Sequence, residues 1–401
     1  MRVQRYNSRL SFRNRRRRKT GCLPSAILLG ILVGVGMLSW NWLQTRLANG
    51  LAAPPGGSTI NDRLAAALQA FNRGDLDSAV QISRDILSEE PDQPEAVVLL
   101  ARALIYRSYS DYNRAVDRQS ALELTSEVVT RVSGNPDLLA VHAFALTAGG
   151  NPAAAAEVAQ RALDIDPDHA LARTAMSLAY GSVGSFEIAM RESQRAVEGR
   201  GWAVDALRAA ALSYSNVADY QTAIDTVDRA IQLNPRLLPL YFEKALFALQ
   251  LGNADMATQA YYQVLTFDGD NVKARFRLCE LSSTMREREA ALHYCQEVTQ
   301  LAPSWPDGWY QLGREYFLQG NFAAARDSLH RCSTLQVIQG VPVSERRFEC
   351  WYLQGQAAEI LGDCRTLLTT YNEFRAMTAD ESVRQTWTYP PEGPPGCAPA
   401  N

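Results

Sequence analysis

Acidic residues are missing from the first sixty positions, although these positions hold ten lysines and arginines. The rest of the chain carries all 43 acidic side chains against 30 basic ones, so a basic head precedes an acidic body. An acidic body repels the phosphate backbone of nucleic acids. We therefore expect no nucleic acid among its partners.

The sequence also lacks the motifs of common active sites. Its four histidines are scattered without HExxH spacing, and there is no P-loop, no GxSxG elbow and no GxGxxG after a strand. Paired CxxC spacing, which is typical of zinc sites, is absent as well. We therefore expect that the protein is not an enzyme and that it has no catalytic residue, no cofactor, no metal and no small-molecule substrate.

Charge is absent from the 21 residues Leu23 to Leu43, which follow the basic run 15–19. As a helix this stretch would span roughly 30 Å, the thickness of the hydrocarbon core of a bilayer. Nine basic residues precede it and only Arg46 follows closely. By the positive-inside rule, the amino terminus then stays in the cytoplasm and the body lies outside it.

This pattern predicts a single-pass protein of the cell membrane that contacts the lipid bilayer through residues 23–43. The predicted segments are a basic cytoplasmic segment at 1–20, a transmembrane helix serving as signal anchor at 21–45 and a flexible linker at 46–59. The alternative is a cleaved signal peptide with its processing site among the small residues between Ala48 and Ala53. Cleavage would release a secreted ligand-binding module.

A period of 34 residues organises the chain from residue 60 onward. Across 136–339, position 20 of the unit is alanine in six consecutive copies, and position 32 is proline or glycine in five of six. Proline cannot continue a helix because it lacks the amide hydrogen. The pattern predicts two antiparallel helices per unit, which bury their apolar faces by stacking on neighbouring units.

The copy at 306–339 opens with the pattern W-x2-L-G-x2-Y, and the chain here resembles the tetratricopeptide repeat family. The resemblance implies an all-α fold, a right-handed α-solenoid of about nine helix-turn-helix units, which the transmembrane helix predicted above precedes. It assigns structural roles to Trp309, Leu312, Gly313, Tyr316, Gly320, Ala325, Pro167, Pro235 and Pro303.

Less regular units flank the block at 136–339, and together they predict a solenoid over 60–381. The unit at 94–135 holds eight extra residues between its helices. Because eight residues are about one additional turn on each helix, we expect an extended hairpin that projects from the array. The tail at 382–401 is rich in proline, and we expect it to be extended or disordered.

In the family that this chain resembles, the first helix of each unit lines a groove that takes a peptide or helix of a partner protein. Aromatic and arginine side chains are the usual anchors of such interfaces. The alternative for any one ring is packing between repeats. The candidate groove residues are Phe144, Arg208, Phe242, Phe276, Tyr310, Arg314 and Phe317.

Six of the seven cysteines lie in the last third of the chain. Cys279 and Cys295 occupy positions 8 and 24 of one unit, on facing helices, so a disulfide between them is possible in an oxidising compartment. Further pairs would join Cys332 to Cys350 and Cys364 to Cys397. The alternative is that buried cysteine replaces alanine as a small core residue.

These observations favour a non-enzymatic scaffold for protein–protein interactions, which presents its groove outside the cytoplasm to one or more partner proteins. Two alternatives remain open. One is the secreted module described above, and the other is an accessory subunit of an envelope enzyme or of a secretion complex.

Overall fold

The computed structural model describes residues 59–199, 201–379, 386–389, 394 and 397. From residue 60 onward, the described residues form one compact unit. The predicted cytoplasmic segment, the transmembrane helix and all but the end of the linker lie outside the described residues. None of the helices that are described combines the length and the apolar character needed to cross a bilayer.

The described residues form eighteen α-helices and no β-strand. Consecutive helices pack in antiparallel pairs, giving nine hairpins. In chain order the helices are α1 (Ile60–Asn72), α2 (Leu76–Glu89), α3 (Pro94–Ser108), α4 (Val116–Arg131), α5 (Pro136–Ala148), α6 (Pro152–Ile165), α7 (Ala170–Ser182), α8 (Phe186–Glu198), α9 (Ala203–Asn216), α10 (Tyr220–Leu233), α11 (Leu238–Gln250), α12 (Ala254–Phe267), α13 (Val272–Thr284), α14 (Arg288–Leu301), α15 (Pro306–Leu318), α16 (Phe322–Ile338), α17 (Glu349–Ile360) and α18 (Cys364–Thr378).

Turns within the hairpins repeat the same local chemistry. Position 15 of the unit adopts a positive φ, usually on glycine, and position 16 is often Asp or Asn. The side chain at position 16 accepts a hydrogen bond from a backbone N–H in the first turn of the second helix, as Asp75 does from Ser78 at 3.1 Å. Ala218 and Arg286 also stand at position 15, with φ of 62° and 64°. The turn therefore imposes the left-handed conformation even on residues that carry a Cβ.

Small residues allow the helices to approach closely. All six alanines at position 20 are fully buried. A Cβ on Gly313 would lie 2.6 Å from Cγ of Leu329 on the facing helix, so α15 and α16 touch at this glycine. Where position 32 is Val337 and not a helix breaker, α16 continues to Ile338, and Gly340 two residues later has a φ of 66°.

Three disulfides tie the carboxy-terminal hairpins. Cys279 on α13 bonds to Cys295 on α14. Two further bonds join Cys332 to Cys350 and Cys364 to Cys397. The first two link helices that pack side by side, and the third fixes the tail to α18. A disulfide typically stabilises a fold by about 2–4 kcal/mol.

The tail, which the sequence predicts to be extended or disordered, packs on the last hairpin at its described residues. Trp387 is 8% exposed and packs edge-on against Tyr371 and Phe374, with ring centroids 5.2 and 5.4 Å apart. Proline does forbid a helix here, but an extended segment can still bury a large ring. The Cys364–Cys397 bond and this indole hold the tail on the last hairpin.

The eight extra residues of the second hairpin are shared between its helices and its turn. The helices α3 and α4 are each two residues longer than α1 and α2, and the turn has seven residues where the first hairpin has three. The prediction of an extended hairpin that projects from the array did not say what the hairpin contacts. Residues 109–112 lie against α13 and Trp305, as described below.

Candidate functional site

First helices of successive hairpins form one surface of the array. We call the part made by α9, α11, α13 and Trp305 the inner face, because α3 and the turn that follows it lie against it. The contacts join residues about 100 to 190 positions apart in the chain. They show that the array curves far enough to bring its second hairpin onto its fifth and seventh.

A buried ion pair anchors α3 to this face. Arg102 pairs with Asp205 at 2.5 Å, and the hydroxyl of Tyr106 donates to the same carboxylate at 3.1 Å. The guanidinium of Arg102 lies between the rings of Phe71 and Trp202, at 4.3 and 4.5 Å from their centroids. All the charged groups involved are nearly inaccessible to solvent. Removing one partner of such a pair costs about 3–5 kcal/mol, because the other charge stays buried.

Arg208, a predicted groove residue, is already paired within the chain. Its Nε donates to Oε1 of Glu243 at 2.7 Å. Its guanidinium lies 5.4 Å from the ring centroid of Tyr106 and 5.3 Å from that of Tyr109. The side chain is on the inner face, where α3 and its turn cover it.

Phe144 is not available to a partner, so its assignment to the groove is wrong. It is 2% exposed, and its ring packs against Tyr106, with centroids 6.3 Å apart. The physical reason is that Tyr106 lies near the end of the lengthened α3 and fills the space beside α5. Phe144 therefore belongs to the core.

The turn after α3 is bound by the start of α13. The carboxylate of Asp111 accepts a hydrogen bond from the backbone N–H of Lys273 at 2.9 Å, where the helix presents unpaired N–H groups. The Lys273 ammonium donates to the carbonyl oxygen of Tyr109 at 2.6 Å. The side-chain amide of Asn271 donates to the backbone carbonyl oxygen of Ser110 at 2.9 Å. Backbone and side chain of the turn are thus held together.

Aromatic stacking completes this contact. The ring of Tyr112 stacks on Trp305 with centroids 4.5 Å apart, and Phe276 lies against the same indole at 4.7 Å. Phe276, a predicted groove residue, therefore lies beside the indole that binds the chain's own turn. Burial raises the pKa of the Asp111 carboxyl and lowers that of Lys273 to about 8, since water is largely excluded between them.

Beside the bound turn, an apolar depression of about 700 Å³ is open to solvent. Leu246 and Leu249 on α11 stand 49% and 36% exposed within it, and Phe242 lies on its wall. Charged side chains of both signs surround these apolar groups. The residues that line the depression and carry charge are Arg208, Glu243, Lys273, Arg277 and Glu280.

The other predicted groove residues contact their neighbours in the array. Tyr310 lies under the guanidinium of Arg347, which is 4.6 Å from its ring centroid. Arg314 donates to the hydroxyl of Ser283 at 3.1 Å. Phe317 packs edge-on against a ring of its own hairpin at 5.3 Å. None of the three lines the depression.

Leu246, Leu249, Lys273 and Trp305 were not among the predicted groove residues. The first three occupy positions 9, 12 and 2 of their units, which are groove positions in the family that the sequence resembles. They were missed because only aromatic and arginine side chains were taken as candidates. No positional signal pointed to Trp305, because it precedes its helix and acts through Tyr112 of a distant hairpin.

The described residues contain no group of three or more His, Cys, Asp or Glu side chains placed to hold a metal ion. Buried charges on the inner face are paired with one another. What the arrangement offers chemically is therefore hydrogen bonding, ion pairing and apolar contact.

Comparison with known families and structures agrees with this architecture. The tetratricopeptide repeat family matches residues 238–271, the hairpin that carries the exposed leucines of the depression. None of the curated protein sequences matches the chain.

Several solved structures are similar. The crystal structure of the APC/C hetero-tetramer Cut9–Hcn1 aligns with 81% of this chain at 17% identity and a TM-score of 0.53, and the chain spans 62% of the length of that protein. The human IFIT1 dimer with PPP-AAAA aligns with 78% of this chain and 82% of its own at 14% identity, with a TM-score of 0.48. Pseudomonas aeruginosa PilF aligns with 52% of this chain and 93% of its own at 17% identity, with a TM-score of 0.42. The likeness to Cut9–Hcn1, together with the family match, confirms the predicted all-α tetratricopeptide solenoid fold.

Proposed function

We propose that this tetratricopeptide repeat solenoid is a non-enzymatic scaffold that binds a peptide or helix of a partner protein on its inner face. The observation that carries the proposal is the open depression in which Leu246 and Leu249 remain exposed. Fully burying a leucine contributes about 1.5–3 kcal/mol. A partner side chain that covers both leucines therefore gains a substantial part of the energy of a specific contact.

The lining of the depression supports a partner of mixed character. Its apolar floor suits an apolar anchor side chain, while Arg277 and Glu280 at its edge suit polar neighbours of either sign. An amphipathic helix or an extended peptide presents such a combination. Interfaces of this kind take most of their energy from a few central anchors, and the charged edge contributes mainly specificity.

We also propose that the chain is anchored in the cell membrane by residues 23–43, with the array outside the cytoplasm. The charge-free stretch and the basic run before it support the anchor and its orientation. The three disulfides support an oxidising compartment for the array. Protease protection in intact cells tests this: the array should be digested from outside, and full protection until the cells are lysed would reject the orientation.

Site-specific photo-cross-linking in the native membrane tests the groove. A photoreactive residue at position 246 is expected to capture one or a few defined proteins. A photoreactive residue at position 233 is the matched control, because Leu233 is 52% exposed, close to the 49% of Leu246, but does not line the depression. Leu246→Asp should abolish co-purification of the captured proteins, whereas Leu233→Asp should not. Equal capture from both positions would reject the depression as a binding site.

A further inference from the structure

The inner face already holds a short turn segment of the chain itself. This segment, residues 109–112, lies between the end of α3 and the start of α4 and belongs to neither helix. We propose that Asn271, Lys273, Phe276 and Trp305 form a recognition site for a segment with an Asp–aromatic pair. The chain's own Asp111 and Tyr112 occupy this site, and a partner segment of the same chemistry binds by displacing them. This inference deepens the proposed function and rests on it, since it names the partner and the regulation of the same face.

The contacts are those of a peptide-recognition site. The start of α13 binds the Asp111 carboxylate through a backbone N–H, which selects for a negative charge. Trp305 offers an aromatic surface on which Tyr112 stacks, and Phe276 lies against the same indole. The side chains of Asn271 and Lys273 bind two carbonyl groups, and these contacts are independent of sequence. Together they bind the backbone of a short segment and distinguish two of its side chains.

The second hairpin does not need this contact in order to close. The first hairpin closes with a turn of three residues, and the sixth and eighth do the same. The turn after α3 has four more, and the contacts of residues 109–112 reach a part of the array that is about 160 positions away. Asp111 and Tyr112 are only half-buried, so the edge of the bound segment is accessible to a competing one.

The recognition site adjoins the apolar depression. Tyr109 and Lys273 line the depression and also take part in binding the turn. A partner that places an apolar side chain between Leu246 and Leu249 is thus positioned to bring an Asp–aromatic pair to the start of α13. Release of the turn would extend the accessible face from α11 to Trp305.

The probe for the test is a fluorescent synthetic peptide with the sequence of residues 107–115 (RSYSDYNRA). Its binding to the full chain in detergent is measured by fluorescence anisotropy. The wild-type chain is compared with the double variant Asp111→Ala/Tyr112→Ala, whose site is vacated. A tethered segment competes at an effective concentration of about a millimolar or more. We therefore expect the peptide to bind the double variant at least tenfold more tightly than the wild type.

Two controls distinguish the site from nonspecific binding. Adding Trp305→Ala to the double variant should remove peptide binding, and a peptide in which the Asp and the second Tyr are replaced by Ala should not bind. Equal affinity for wild type and double variant overturns the proposal. So does the absence of binding to the folded double variant up to about 1 mM peptide.

Circular dichroism shows whether the double variant keeps its helical structure. If it does not, the milder variant Asp111→Asn takes its place, with a smaller shift in the same direction expected and an unchanged affinity counting against the proposal. The peptide experiment needs no natural partner, and the cross-linking experiment at Leu246 needs no peptide. Failure of one is therefore distinguishable from failure of the other.

Discussion

Replacement of Gly74 by alanine tests whether the array is closed on itself. Gly74 ends α1 with a φ of 73°, and a Cβ at this position would lie 2.5 Å from the carbonyl oxygen of Arg236 in the fifth hairpin. Next to it, the amide of Asn234 donates to the carbonyl of Phe71 at 2.8 Å. The variant must therefore separate two turns that lie about 160 residues apart in the chain.

Gly252→Ala supplies the matched control for this substitution. Gly252 occupies the same position in the sixth hairpin with a φ of 80°, but a Cβ added there would meet nothing within 4 Å. A left-handed residue with a Cβ costs about 1–2 kcal/mol, of which about 0.4–1 is offset by the lower entropy of the unfolded chain. We expect Gly252→Ala to lose about 1 kcal/mol. Gly74→Ala should lose about 2–4 kcal/mol, because breaking a buried hydrogen bond adds about 1–3 kcal/mol.

Urea unfolding followed by circular dichroism measures both losses, and hydrogen exchange locates them. In Gly74→Ala the amide hydrogens of α1 should exchange faster than in the wild type, whereas in Gly252→Ala they should not. Equal losses in the two variants would show that the contact with Arg236 does not stabilise the protein. Closure of the array at this contact would then add nothing to the free energy of unfolding.

Three further outcomes follow from local features. Arg286→Gly should raise the free energy of unfolding by about 0.5–1 kcal/mol, because it relieves a φ of 64°; an unchanged midpoint of thermal unfolding would contradict this. Gly355→Ala should lower the free energy of unfolding by about 1–2 kcal/mol, because the added Cβ would lie 2.1 Å from Trp387. The higher helix propensity of alanine acts in the opposite direction, and a variant more stable than the wild type in urea would exclude that packing. As the pH rises from 8 to 10, the free energy of unfolding of the wild type should increase relative to that of Lys273→Met. Burial lowers the pKa of Lys273 to about 8, so the unfolded chain binds more protons in this window; a difference independent of pH would disprove it.

The hairpins could be predicted from the sequence because their determinants are local. The alanines at position 20 mark the places where two helices touch, and prolines such as Pro167 and Pro235 precede the first helix of the next hairpin. Each signal acts within one unit and recurs 34 residues later. Even the lack of a helix breaker at Val337 agrees with the longer α16.

The occupied state of the inner face could not be predicted in the same way. The positions that face a groove were known from the repeat, but nothing within one unit indicates what covers them. Arg208 lies under a turn from the second hairpin, Phe144 lies under α3, and Phe276 shares the Trp305 indole with Tyr112 of that turn. These contacts depend on the curvature of the whole array, which is the sum of small rotations between many neighbouring hairpins. The sequence of the second hairpin shows its eight extra residues but does not show which distant hairpins these residues contact.

The contact between the second hairpin and the start of α13 also constrains how the chain is made. Synthesis runs from the amino terminus, and most repeat arrays can fold hairpin by hairpin as they emerge. Here Arg102 meets Asp205 only after about 100 further residues have been added, and Tyr112 meets Trp305 only after about 190. Until then these side chains stay in water. The first third of the nascent chain therefore keeps these surfaces exposed until the later hairpins have been synthesised.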